Sequence, residues 1–202
     1  SSSVARSARE KTMIAVLDHK DSFTYNLVHM LQLEDQVQVF DQEEAFRLDP
    51  SLFSTLVFSP GPGQPEDYPA SIQLYQKARG HIAILGVCLG FQLILHAEGA
   101  QTVRQEKVLH GVRTSLLTVP DSHAYRDIPE TIAVGRYHSL QIDPKTVPTN
   151  VEITGWDKDA SIPLSFEIPE LEIYGFQFHP DSFLTDNGQK ILTNCLRGRL
   201  ES

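Results

Sequence analysis

The chain has 202 residues and 41% hydrophobic content, which suits one domain with a buried core. No apolar run approaches the ~20 residues of a membrane helix, and a net charge of −9 argues against a nucleic-acid partner, whose phosphates call for a basic surface. Cys88 and Cys195 are the only cysteines, so no disulfide framework is expected, and a reducing cytoplasm suits such a chain.

Residues 1–11 are polar and lack the apolar stretch of a secretory signal. They read as a tail, a linker from a longer chain or an expression scar, with one domain over 12–202. Thr12 to Leu17 is an apolar run that predicts a buried strand. Asp21-Ser22-Phe23-Thr24 supplies N-cap candidates for a helix through Leu33, with Leu27, Met30 and Leu31 on one face. Val37 to Phe40 and Leu56 to Phe58 read as strands, the second running into Ser59-Pro60-Gly61-Pro62-Gly63. Ala70 to Arg79 reads as a helix stopped by Gly80. His81 to Leu85 is a further buried strand, and Phe91 to Gly99 a helix ending at a glycine. Strands alternating with helices at this spacing predict an α/β fold: a mostly parallel twisted sheet flanked by helices.

The second half is more β-rich. Leu116 to Val119, Ile132 to Val134 and Ile173 to Phe178 read as strands with irregular connections, and Asp186 to Leu196 as a terminal helix. The acidic stretch Asp41 to Glu44 reads as a solvated face.

The turn between the His81–Leu85 strand and the following helix is Gly86-Val87-Cys88-Leu89-Gly90. A Gly-x-Cys-x-Gly there is the thiol form of a nucleophile elbow. The glycines allow a sharp turn, and the helix aims its N-terminus at the side chain, which favours thiolate over thiol. Cys88 is therefore the candidate nucleophile. A base is needed, and His179 follows an apolar strand directly, at a strand end where open α/β sheets place their sites. Asp181, two residues on, is placed to hold the imidazole as a triad acid does. The Pro60-Gly61-Pro62-Gly63 loop has little side-chain bulk; Gly61 N–H and Leu89 N–H are the oxyanion candidates, and Pro62 has no N–H to offer. His138 is open between a pocket role and a surface one. Cys195 reads as core. The remaining histidines, His19 among them, carry no signal. No compact ligand pair predicts a metal site.

Four segments in order, Ser59 to Gly63, Gly86-Val87-Cys88-Leu89-Gly90-Phe91-Gln92, Arg136-Tyr137-His138-Ser139-Leu140 and His179-Pro180-Asp181-Ser182, resemble the class I (triad) glutamine amidotransferases. The opening Asp18-His19-Lys20-Asp21-Ser22-Phe23-Thr24-Tyr25-Asn26-Leu27 resembles the branch that serves chorismate-using enzymes, the glutaminase subunits of anthranilate synthase and aminodeoxychorismate synthase. The resemblance covers about residues 12 to 197. It implies that Cys88 attacks the side-chain amide of L-glutamine, that a γ-glutamyl thioester forms and is hydrolysed, and that ammonia passes to a partner synthase acting on chorismate. It implies glutamine binding by Gly61, Pro62, Gly63, Gln92, Ser139 and Leu140. It implies no cofactor in this chain, with magnesium on the partner. Asp181 departs from the family's usual Glu, and Leu109 from a frequent Met. A pseudo-amidotransferase that docks a synthase without turnover is the alternative, and a different thiol hydrolase a third reading.

Overall fold

The computed structural model describes residues 13–197; the expectation for the 1–11 tail lies outside them. The first half runs β1 (Met13–Leu17), α1 (Thr24–Gln32), β2 (Gln36–Phe40), β3 (Thr55–Phe58), α2 (Pro69–Ala78), β4 (Ala83–Val87) and α3 (Leu89–Glu98). The second runs β5 (Thr102–Arg104), β6 (Val112–Thr118), β7 (Thr131–Arg136), β8 (Leu140–Ile142), β9 (Glu152–Asp157), β10 (Pro163–Ile168), β11 (Ile173–Phe176) and α4 (Gly188–Arg197).

Nine strands form one sheet in the order β2-β1-β3-β4-β11-β10-β9-β6-β7. The pairs from β2 to β11 are parallel, and those from β11 to β7 antiparallel. The irregular second half is thus the antiparallel continuation of the same sheet. β9 and β10 were not legible as strands: Gly155, Pro163 and two register shifts interrupt their alternation. β5 and β8 make a separate two-stranded ribbon.

The inner parallel strands β1, β3 and β4 are buried on both faces, because both are covered, whereas the edge strand β2 keeps Gln36 and Gln38. Ile14, Val16, Val57, Leu85 and Val87 face Leu27, Val28 and Leu31 of α1 and Ile191, Leu192 and Cys195 of α4. Ala15, Leu17, Leu56, Phe58 and Ile84 face Leu74, Tyr75 and Ala78 of α2 and Phe91, Ile94 and Leu95 of α3. Cys195 is accordingly core. Among the described residues no helix is long and apolar enough to cross a membrane.

Two boundaries differ from expectation. β4 lies two residues later than the predicted strand, so it runs straight into Cys88. At the start of α1 the N-cap position is Phe23, without a side-chain cap. Asp21 instead builds the preceding turn: its carboxylate accepts the Phe23 N–H at 2.8 Å and its carbonyl the Thr24 N–H at 3.1 Å.

Candidate active site

β1, β3, β4 and β11 run side by side, and each delivers a functional segment at its carboxyl end, where a parallel sheet leaves room for a site. Asp18 and His19 follow β1, Ser59 to Gly63 follow β3, Cys88 follows β4, and Gln177 to His179 follow β11.

Cys88 holds φ 56° and ψ −103°, a backbone conformation that side chains disfavour by about 1–3 kcal/mol. The conformation persists because its surroundings fix it. The Cys88 N–H donates to Phe176 O at 2.7 Å, and Cys88 O accepts the Gln92 N–H at 3.1 Å. A Cβ on Gly90 would lie 2.2 Å from Phe58 O, and one on Gly86 2.5 Å from Gly90 O, so only glycine lets α3 approach the sheet this closely. The turn puts Cys88 Sγ at the floor of a cleft of about 240 Å³. Gly61, Pro62, Gly63, Leu89, Gln92, Ser139 and Leu140 line it too.

His179 and Asp181 stand behind the sulfur rather than in the cleft wall. The imidazole is 2% exposed and sits between the rings of Phe23 and Tyr137, each with its centroid 4.8 Å away. Its Nδ1 lies 3.5 Å from Asp181 Oδ1. That distance is an ion-pair contact but not a well-formed hydrogen bond. Among the described residues neither ring nitrogen and neither Asp181 oxygen completes a hydrogen bond, although all four atoms are buried. Aspartate falls short of hydrogen-bond distance here by less than about 1 Å, within the reach that the methylene of a glutamate would add. Burial by itself would lower the His179 pKa; Asp181 and Cys88 outweigh it and raise it to about 10, so the imidazolium is favoured.

The opposite wall is a locked strap. Arg136 Nε donates to His138 Nε2 at 3.0 Å, which leaves the ring proton on Nδ1, facing Leu140 O at 2.8 Å. Leu140 O also accepts from Gln92 Nε2 at 3.2 Å. Burial and the neighbouring Arg136 cation push the His138 pKa down to about 3. His138 is therefore a buried neutral residue of the cleft wall, which settles the choice the sequence left open.

Fold comparison places the chain beside the solved structure of a candidate GMP synthase component of Thermoplasma acidophilum. The TM-score is 0.80 at 22% identity, covering 93% of this chain and 94% of that one. Residues 15–198 match the glutamine amidotransferase class-I family. The chain is a class I glutamine amidotransferase. Among curated relatives, it is 35% identical to anthranilate synthase component 2 of Pseudomonas aeruginosa, over 92% of this chain and 95% of that protein. It is equally 35% identical to aminodeoxychorismate synthase component 2 of Escherichia coli K12, over 91% and 99%.

Three residues of this amidotransferase escaped the sequence reading. Gln177 is fully buried, donates to Cys88 Sγ at 3.7 Å and accepts from Gln92 Nε2 at 2.9 Å. Its signal was a lone amide between Phe176 and Phe178. Arg136 is a buried cation within a quoted motif, but nothing local pointed it at His138. His19 is 1% exposed and grips Ser59, 40 residues away, a pairing no local pattern announces.

Proposed function

We propose that this amidotransferase hydrolyses L-glutamine and supplies the ammonia to a chorismate-aminating synthase. One observation carries the chemistry: Cys88, strained into an elbow at the cleft floor, has a buried, charge-stabilised His179 beside its sulfur. Cys88 Sγ attacks the amide carbon of glutamine while its proton resides on His179. The oxyanion that forms is held by Gly61 N–H and Leu89 N–H. His179 passes the proton to the departing nitrogen, and ammonia leaves the γ-glutamyl thioester. Water then attacks the thioester; His179 takes its proton and returns it to the sulfur as glutamate departs. Asp181 orients the imidazole throughout. Gly61, Pro62, Gly63, Gln92, Ser139 and Leu140 hold the substrate. A polar wall of this kind suits an amide, because a wrong substrate leaves buried donors unpaired.

The partner is read from the curated relatives, which are second components of synthases making either anthranilate or aminodeoxychorismate. In this reading the synthase brings the magnesium, this chain contributes no cofactor, and the pair works in the reducing cytoplasm. The test is ammonia release from glutamine, alone and with the copurified partner. Cys88→Ala should abolish glutamine-dependent synthesis and leave ammonia-dependent synthesis intact. Loss of both would mean that this chain also builds the synthase site.

One observation favours a second reading, a docking protein without turnover: the 3.5 Å gap between His179 and Asp181. Glutamine hydrolysis that vanishes in Cys88→Ser would eliminate it.

A further inference from the structure

Gly61 N–H is useful to an oxyanion only if it points at the cleft, and the peptide plane between the buried Pro60 and the half-buried Gly61 has two ways to face. We infer that the Ser59 hydroxyl, gripped by His19, is the pin that holds it in the working orientation. This rests on the glutaminase reading above.

Ser59 Oγ donates to Pro60 O at 2.9 Å. That carbonyl belongs to the Pro60–Gly61 peptide. The bond is trans, so the Gly61 N–H lies antiparallel to the pinned carbonyl. Drawing the oxygen inward turns the N–H outward, and among the described residues no protein acceptor takes it. Ser59 is itself fixed from below. The His19 backbone N–H donates to Ser59 Oγ at 2.9 Å, and His19 Nδ1 faces Ser59 O at 2.9 Å.

The ring's proton placement follows from its partners. Ser59 O can only accept, so Nδ1 carries the hydrogen. Burial lowers the His19 pKa to about 4, so at neutral pH Nε2 is an acceptor and takes the Ser71 hydroxyl proton at 2.8 Å. Ser71 Oγ also lies 3.1 Å from Gln42 Oε1, a second acceptor for its proton. His19, Ser59 and Ser71 are all at most 1% exposed, so the chain is shielded from competing water. Gly61 is seated on this base: a Cβ there would lie 2.4 Å from His19 Cβ and 2.8 Å from Leu89 Cδ2. Ser59 and His19 are thus positioning residues that act through the Gly61 peptide and touch no substrate.

The test is Ser59→Ala in the full chain, alone and with its synthase partner. Outright loss of one oxyanion donor costs about 100- to 1000-fold in kcat, so leaving Gly61 N–H in place but unaimed predicts a fall in glutaminase kcat of about 10- to 100-fold, with KM changed less than about threefold. Alkylation of Cys88 by iodoacetamide passes through no oxyanion, so its rate should stay within about twofold of wild type. That result also shows the variant is folded. Ser59→Thr, which restores a hydroxyl, should recover part of kcat. Crystal structures of wild type and Ser59→Ala should show the Pro60–Gly61 peptide turned in the variant alone. Wild-type kcat in Ser59→Ala, or equal losses in kcat and in alkylation, would overturn the inference. A wild-type protein that never turns over glutamine overturns the glutaminase reading instead. The crystal comparison still judges the pin in that case, and an unturned peptide refutes it.

Discussion

The His179–Asp181 contact is a question of one methylene. Asp181 is buried, aimed at Nδ1 and still 3.5 Å away, with both oxygens unpartnered. Asp181→Glu extends the same carboxylate toward the ring. We expect glutaminase kcat/KM at least equal to wild type in Asp181→Glu and a large loss in Asp181→Ala. A collapse of the Glu variant to the Ala level would show that the pocket is built around the shorter acid. The buried histidines make a second prediction. His19 and His138 have folded pKa values lowered to about 4 and about 3. The unfolded chain, near 6.5, therefore binds more protons at mildly acid pH. The stability they contribute is complete above 6.5 and is lost as pH falls toward 4. Each adds a slope of about 1.4 kcal/mol per pH unit in that window. Urea titrations from pH 7 to 4 should show it, and His138→Gln should flatten the slope by about one histidine's share. His179 has the opposite sign: its pKa is raised, so its contribution is complete below 6.5 and is lost as pH rises toward 10.

At the scale of elements, the site depends on how closely α3 packs on β3 and β4. Gly90 lets the first turn of α3 rest on Phe58 O, and nothing flexible there can yield to a Cβ at 2.2 Å. Gly90→Ala should cost about 3 kcal/mol or more, at or above the usual range for overpacking, read from a lowered denaturation midpoint. Gly99→Ala is a milder case. No atom would meet its Cβ, and only the left-handed φ of 109° opposes it, so a cost of about 1 kcal/mol is expected in the same assay. The elements around this elbow were legible because each is short, apolar and bounded by Gly, Pro or Asp. β9 and β10 were not. Gly155, Pro163 and two register shifts break their alternation, and their pairing with each other and with β6 and β11 holds them as strands where their own pattern does not.

On the scale of the whole molecule, one sheet separates two apolar layers, and α4 closes the second against β1, β3 and β4. Cys195 reports on that layer. It is 4% exposed, and burial pushes its thiol well above the ordinary range, with Glu167 adding to the shift. A thiol reagent should therefore modify Cys88 in the native protein, while Cys195 reacts only as urea removes the far-UV signal. Native-state labelling of both would show that α4 opens independently of the sheet.

The sequence by itself determined the α/β class and singled out Cys88, His179 and the Ser59–Gly63 loop, which the fold brings to the same end of the sheet. Each is written in a few contiguous residues whose local geometry follows from glycine, proline and apolar patterning. Tertiary structure alone decided the reach of Asp181, the lock of Arg136 on His138, and the grip of His19 on Ser59. Those depend on where β1, β3, β7 and β11 end relative to one another. That arrangement is set by strand order and packing across the sheet, and a pattern read along the chain contains no distance between strands.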